Sequence, residues 1–578
     1  MKKRIVLATA AFCILIVAVV LCLSSCGDPL GEPQKGDLVA PVLNTSPLTT
    51  EQKLLETGVC VPVESTKPSA FGFKTHLNVK DCLGADPEND TPGIDVDGYV
   101  RQDEIHFSNK NYSKVEGVIT FRGDNYRSGG AYDRAVMTEY KLRKAWEITT
   151  GELKKSVKKG EWTGSGWTGQ PLLVKWDEAT KQIMNLYDGK KRKKDLIEVI
   201  YATMDGNIYF LDIEDGSATR DAIKLGFPIK GTGSLYPDGT PLYVVGAGDD
   251  MGDKAARAFI VDLIRGKVIY EYGYDDPFSL RKDNGKFCAF DSSALFDVAT
   301  DTLIQPGENG ILYTMKLNTS YDASGVTINP SEIVKWNYET DRTGEDTYWL
   351  GIESSACMYD HYFYACDNSG DLMCIDINTM ELVWVQDTVD DSNASPVLEV
   401  DASDGTAYIY VSTSLHWTKD KKDSGEIPVM KINAATGEII WKRTYECKTV
   451  DGVSGGVQAT ACLGQNNISD LVYFNVARTG GKKHGKLVAI DKKTGGEVWS
   501  VEMKYYSWSS PVAVYDAKGD GYIILCDSDG NMFLLDGRTG TLKSTINLGK
   551  NIEATPAVFG NTIVVGTRGK KIYGIVLE

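Results

Sequence analysis

The sequence predicts an all-β protein, an eight-bladed β-propeller of four-stranded antiparallel blades, and three observations carry that expectation. The first is a recurring turn. Ala489-x-Asp491-x-x-Thr494-Gly495-x-x-x-Trp499, Asn433-x-x-Thr436-Gly437-x-x-x-Trp441 and Asp376-x-x-Thr379-Met380-x-x-x-Trp384 share one pattern, with weaker copies at Asp212, Asp262 and Asp536. The anchors lie 50, 114, 57, 58 and 45 residues apart, and 114 is twice 57. A repeat of this size, rich in short β-runs, reads as a propeller blade. The second observation is that small residues and prolines precede an apolar run at eight places: 169–171, 233–234, 292–294, 354–356, 394–396, 459–461, 509–511 and 554–556. The third is that outer strands carrying Trp or a substitute also number eight, near Trp146, Ile223, Val268, Trp336, Trp384, Trp441, Trp499 and Ser544.

In chain order, the basic run Met1-Lys2-Lys3-Arg4 precedes an apolar run from Ile5 to Leu23. Leu23-Ser24-Ser25-Cys26 then resembles a bacterial lipobox, in which Cys26 is lipidated and becomes the mature N-terminus. Residues 1–26 are therefore expected to be a lipoprotein signal peptide. The protein is expected on the extracytoplasmic face of a bacterial cell membrane, held by lipid. The alternative is an uncleaved anchor, since 19 residues approach a spanning length. Residues 27–115 follow as a spacer and a partly ordered lead-in, the spacer marked by Pro29, Pro33, Pro41, Pro47, Pro62 and Pro68. The propeller is assigned to residues 116–578.

Each repeat is explained locally. The Asp or Asn side chain accepts from backbone N–H groups two residues on, and Gly takes the positive φ that closes a tight hairpin. The Trp four residues past the Gly lies on the outermost strand, where its apolar area packs on the next blade. Trp146, Trp336, Trp384, Trp441 and Trp499 are thus expected as interblade docking residues. The last apolar run, Lys571 to Val576, has no outer strand after it, while Trp146 lies in an outer strand with no blade before it. Ring closure by the early strand accounts for both and leaves no open sheet edge.

Composition narrows the function. A formal charge of −17 gives no electrostatic case for nucleic acid. Of twelve cysteines, Cys366 and Cys526 occupy one repeat slot as small buried fillers, and only Cys60 and Cys82 form a candidate disulfide. Five scattered histidines give no expectation of a metal site. Two faintly calcium-like turns, at Asp516 to Gly521 and Asp401 to Gly405, read as hairpins.

The docking repeat resembles the tryptophan-docking motif of PQQ-like propellers, the superfamily of quinoprotein alcohol dehydrogenases and BamB-like assembly lipoproteins. Phe121-Arg122-Gly123-Asp124-Asn125-Tyr126-Arg127-Ser128-Gly129 is similar to the Phe-Arg-Gly-x-x-x-Arg-x-Gly segment before the first blade of many members. The resemblance covers roughly residues 116 to 578 and implies the fold, while activity stays open. Quinoprotein dehydrogenases hold their quinone over the ring axis with an adjacent Cys-Cys disulfide, a Trp floor, and carboxylate and amide ligands to calcium. This chain has no adjacent Cys pair. Neither PQQ nor calcium is therefore expected, and no catalytic residue is assigned.

Further aromatics lie where loops reach one face of the ring: Trp162, Trp167, Trp349, Tyr505, Tyr506 and Trp508 before inner strands, and Trp417 between a second and a third strand. They are read as an aromatic mouth that binds a ligand or partner, with interblade packing as the alternative. Lys190 to Lys194 falls in a loop on the opposite face. The favoured function is a non-catalytic, monomeric, membrane-anchored scaffold for a protein or cell-envelope polymer, as in BamB-like proteins. The alternatives are a quinone-dependent oxidoreductase and a carbohydrate-binding propeller.

Overall fold

The computed structural model describes residues 28–40, 59–80, 92–94, 98–107, 112–156, 159–166, 169–281, 289–344, 346–416, 423–450 and 454–578. Seven blades of four antiparallel strands are each built from one continuous stretch of chain. Their innermost strands are Leu172–Lys175, Ser234–Leu235, Leu295–Asp297, Cys357–Tyr359, Val397–Val400, Cys462–Leu463 and Val512–Tyr515. A further sheet is composite. It takes Ala557–Phe559, Thr562–Thr567 and Lys571–Leu577 from the end of the chain and Leu142–Thr149 from before the first blade, paired antiparallel from Lys571↔Thr149 to Leu577↔Leu142. The expectation of eight blades is thus corrected to seven, each made from one stretch of chain, while the expected closure by the strand at Trp146 is found in this two-part sheet.

Apolar clusters weld each sheet to the next around a circle. They join the first, second and third blades, third to fourth, fourth to fifth, fifth to sixth, sixth to seventh, seventh to composite sheet, and composite sheet back to the first blade.

The repeat turns form as their residues dictate. Asp491 Oδ1 accepts from the N–H groups of Lys493 and Thr494, Asn433 Oδ1 from Ala435, and Asp536 Oδ1 from Arg538. Gly216, Gly437, Gly495 and Gly540 adopt φ of 72–75°. A Cβ there would come within 2.6–2.9 Å of Trp146, Trp384, Trp441 and Trp499 respectively. Glycine is required twice over, for conformation and for the stacked indole. Each of these indole N–H groups donates to the carbonyl one residue past the anchor of the next blade: Ile213, Ala434, Lys492 and Gly537. Trp146 of the composite sheet reaches the first blade in this way, so closure uses the ordinary interblade contact.

At two of the junctions without this indole bond an arginine supplies the donor. The first blade has no outer Trp. Arg220, paired with Glu198 and fully buried, donates from Nη1 to the Leu263 carbonyl at 2.7 Å. Trp336 is buried, but its indole N–H has no partner in its surroundings. There the Ile377 carbonyl instead accepts from Arg101 Nε at 3.4 Å, and Met380 takes the left-handed position with φ 59°.

The lead-in wraps the ring. Gln34–Lys35 pairs with the outer strand of the sixth blade, and Lys74–Lys80 with that of the third. Between them Thr66 Oγ1 donates to Thr436 O. Cys60 is a free buried thiol facing Tyr364 Oη and the Ala434 carbonyl, and its candidate partner Cys82 lies outside the described residues. So does Cys26, with the whole of the expected signal peptide.

The chain then crosses to the axis. Glu116–Val118 pairs with the innermost strand of the first blade, and residues 119–130 plug the centre. Ile119 O accepts from Leu235, Asn125 O from Met358, Tyr126 O from Leu398 and Gly130 O from Val558. Arg122 donates to Pro511 O and Ala461 O, and Arg127 to Ala356 O and Ser293 O. All seven blades and the composite sheet are thereby bonded to one short segment. Burial pulls Arg127 down to about 10, so it stays charged at neutral pH.

Trp441→Ala should lower the free energy of urea unfolding by roughly 3–5 kcal/mol, because it empties a fully enclosed site and strands the Lys492 carbonyl.

Candidate functional site

Strand alternation sends two sets of loops to one face of the ring: those entering each innermost strand and those between second and third strands. The entering loops are laced by a hydroxyl relay around the axis. Gln170 N donates to Thr232 Oγ1, Ser293 N to Ser355 Oγ, Ser355 N to Ser395 Oγ, Ser395 N to Thr460 Oγ1, and Thr460 N to Ser510 Oγ. This relay explains the recurrent small residues. It also shifts the second-blade position from the predicted 233–234 to Thr232.

Two residues before each relay position, one side chain per blade stands above the axial plug. These are Lys230, Asp291, Glu353, Asn393, Gln458, Trp508 and Glu553, in the second to seventh blades and the composite sheet. The corresponding first-blade residue, Thr168, lies outside the described residues. The positions are equivalent by repeat, yet their chemistry differs at nearly every step.

The third and fourth blades form the electrostatic centre. Asp291, Glu308 and Glu353 bring one carboxylate oxygen each to within 4.8 Å of one another. Arg281 Nη1 lies 3.0 Å from Glu308 Oε1, and Asn393 Nδ2 donates to Glu353. Among the described residues, both oxygens of buried Asp291 and one of Glu308 have no hydrogen-bond partner. Burial pushes Asp291 up to about 7; Lys230 opposes that shift, and Glu308 and Asp249 add to it. Burial likewise drives Glu353 well above the usual carboxylate range, reinforced by Glu308, Asp391 and Asp291. Burial alone would lower Lys230, but Asp291, Asp249, Glu308 and Glu353 together raise it. Three acids around one lysine can hold a cation, an amine, or hydrogen-bonding hydroxyls.

The predicted aromatics form three half-buried patches around this centre. Trp162 lies under Lys155 at 4.1 Å and Lys230 at 5.7 Å. Trp349 meets Tyr348 and, across the blade boundary, His416, each with ring centroids 5.2 Å apart. Trp508 packs on Tyr506 at 5.4 Å, with Arg478 over Tyr506 at 4.3 Å, and Lys504 lies 5.6 Å from the Tyr505 ring. Trp167 and Trp417 lie outside the described residues. On the opposite face, Lys190 and Lys193 are drawn onto the buried Asp212 carboxylate at 2.7 and 2.6 Å. That part of the lysine run ties a loop to its own blade.

The acids were missed in sequence because the repeats were aligned on their turns and apolar runs. The signal was present as Asp291-Ser292-Ser293, Glu353-Ser354-Ser355 and Glu553-Ala554-Thr555, an acid at one fixed offset in three repeats.

A raised carboxyl binds its proton more tightly folded than unfolded, so its burial costs stability above the folded value and costs progressively less as pH falls towards the unfolded one. Asp291→Asn should therefore stabilise the protein by roughly 1–3 kcal/mol at pH 8. The gain should shrink as pH drops through about 7 and vanish near the ordinary Asp value of 3.8, as followed by thermal unfolding across pH.

A family model described as "Outer membrane protein assembly factor BamB" matches residues 483–576, which run from the sixth blade through the seventh and the last three strands. The quinohemoprotein alcohol dehydrogenase ADHIIG of Pseudomonas putida HK5 is similar in structure, with a TM-score of 0.52 at 12% identity over 80% of each chain. BamB of Moraxella catarrhalis is 14% identical, covering 75% of this chain and 99% of its own, at a TM-score of 0.33 that is too low to bear on the fold. The beta-alanine-activating enzyme of Danio rerio is 27% identical over 101 residues, which is 17% of this chain and 9% of that relative. Likeness at these identities speaks for architecture alone. Docking turns and interblade indoles make the chain a β-propeller, and its residues 483–576 match the BamB family model.

Proposed function

We propose that this is a lipid-anchored, extracytoplasmic binding propeller whose mouth captures a protein or cell-envelope polymer. It is anchored through Cys26 and acts as a monomer. One observation carries the reading. Around a centre filled by residues 119–130, the equivalent rim position carries six residue types in seven sheets, from Lys230 through Asp291, Glu353, Asn393, Gln458 and Trp508 to Glu553. A closed floor supports capture over passage, and a rim varied in charge and shape supports a specific ligand. Half-buried aromatic patches beside carboxylate oxygens that lack hydrogen-bond partners suit a segment bearing amines or hydroxyls.

A second reading, quinone-dependent oxidation, draws on the Asp291, Glu308 and Glu353 cluster. Buried Asp291 oxygens without partners fit a hard divalent cation. The quinone itself fits poorly: the chain has no adjacent cysteine pair, and the described cysteines are free and buried.

Protein extracted from its native membrane should retain an envelope component that the Glu353→Gln and Trp508→Ala variants lose at unchanged thermal stability. Identical retention by all three would remove the mouth from the binding role. Dye reduction after adding quinone and calcium, absent from Asp291→Asn, would favour the oxidoreductase instead.

A further inference from the structure

Two of the chain's five histidines meet on the face opposite the mouth. His106 comes from the lead-in; Asp360 and His361 form the turn between the first two strands of the fourth blade, Cys357–Tyr359 and Tyr362–Cys366. His106 Nδ1 lies 2.6 Å from Asp360 Oδ1, and His361 Nδ1 lies 3.1 Å from Asp360 Oδ2. A nitrogen of each ring and a carboxylate oxygen fall within 4.8 Å of one another.

The cluster is held from both sides. Phe107 N donates to Asp360 O at 2.9 Å, which fixes His106 against the turn. Asp360 has φ 52°, and this left-handed turn presents it and His361 together. The His361 ring lies against Tyr362, tilted by 37° with centroids 4.2 Å apart. Two further carboxylates surround the rings: Glu104 lies 3.3 Å from His106 Nε2, and Asp376 lies 3.7 Å from His361 Nε2. Among the described residues, the ion pairs of Glu104, Asp360 and Asp376 are all with these two imidazoles. With the rings neutral, three negative charges therefore stand around two nitrogen donors.

We propose that His106, Asp360 and His361 bind a borderline divalent transition-metal ion of the zinc class, which staples the lead-in to the fourth blade. Two imidazoles and a carboxylate are a ligand set that such ions prefer, at about 2.0–2.2 Å from each donor. The side chains need only a small inward rotation to reach that distance. The outermost of them, His106, is 54% exposed and free to make it, while His361 is 17% exposed and already placed. Glu104 and Asp376 orient the rings from outside, as second carboxylates do around metal-bound histidine. His106 also borders a cavity of ≈ 310 Å³ lined by Phe107, Tyr112, Pro237 and Phe296.

The test uses full-length protein stripped with chelator and titrated with Co²⁺ as a visible reporter, then with Zn²⁺ by calorimetry. Wild type should bind one equivalent with a d–d absorption band, and Zn²⁺ should slow proteolysis of the lead-in. His106→Gln and His361→Gln should each weaken binding at least about tenfold and abolish the protection. Their melting temperatures in chelator should match wild type. His484→Gln, in the turn between Leu471–Ala477 and Gly485–Asp491 of the sixth blade, should bind Co²⁺ as wild type does, which separates this site from histidine in general. No binding by wild type, or equal affinity in both histidine variants, would show that the three side chains are a hydrogen-bonded clasp and nothing more.

Discussion

The pairing of Leu142–Thr149 with Lys571–Leu577 is the constraint on which the molecule depends. Every other sheet is local in the chain and could stack into an open arc with two raw edges. This ladder supplies the fourth strand of the composite sheet from before the first blade, and it brings Trp146 onto Gly216 as the last of the interblade docks. Without it the rim residues of the second blade and of the composite sheet would have no reason to share a mouth. The register shift at Gly574/Ile575 recurs at the corresponding place in six other sheets, so the composite sheet obeys the same internal rules as the blades made in one piece.

The interblade dock tolerates exchange of chemistry provided one demand is met. A carbonyl one residue past the turn anchor is buried and needs a donor. Indole N–H groups supply it at four junctions. At the first junction a guanidinium does so from within the blade, with Glu198 neutralising its charge at 0% exposure of both side chains. At the fourth-blade turn Arg101 does so from the lead-in, leaving the Trp336 indole to act through packing alone. The lead-in is in that sense part of the blade mechanism and not merely a cover.

Much of this was legible from the chain. Asp and Gly at fixed offsets write the turns directly, since few other residues hold an Asx bond and a positive φ together. Trp four residues on writes the dock, and the unmatched ends write the closure. Position on the axis was not legible. Arg122 and Arg127 were recognised as a pattern, yet nothing local says that their partners are carbonyls of four different blades. The carboxylates of the mouth were hidden for another reason: a side chain that lines a hole serves no local fold and follows no periodicity of its own. Arg101 and Arg220 were invisible because each replaces an expected residue from an unexpected place. The three mouth patches were read as one aromatic rim because residue type shows in sequence and spacing in space does not.

The central plug has a consequence for the order of assembly. Residues 119–130 precede every blade in the chain, yet their backbone and arginines are completed by all of them. As synthesis or export delivers the chain from its N-terminus, this segment is present before the first sheet can form and serves as a mandrel around which successive sheets are wound. The strand at 142–149 must meanwhile wait with one side bare until more than four hundred further residues have arrived. Its alternation of Arg143, Lys144 and Glu147 with apolar neighbours keeps that waiting edge charged, which discourages premature partners.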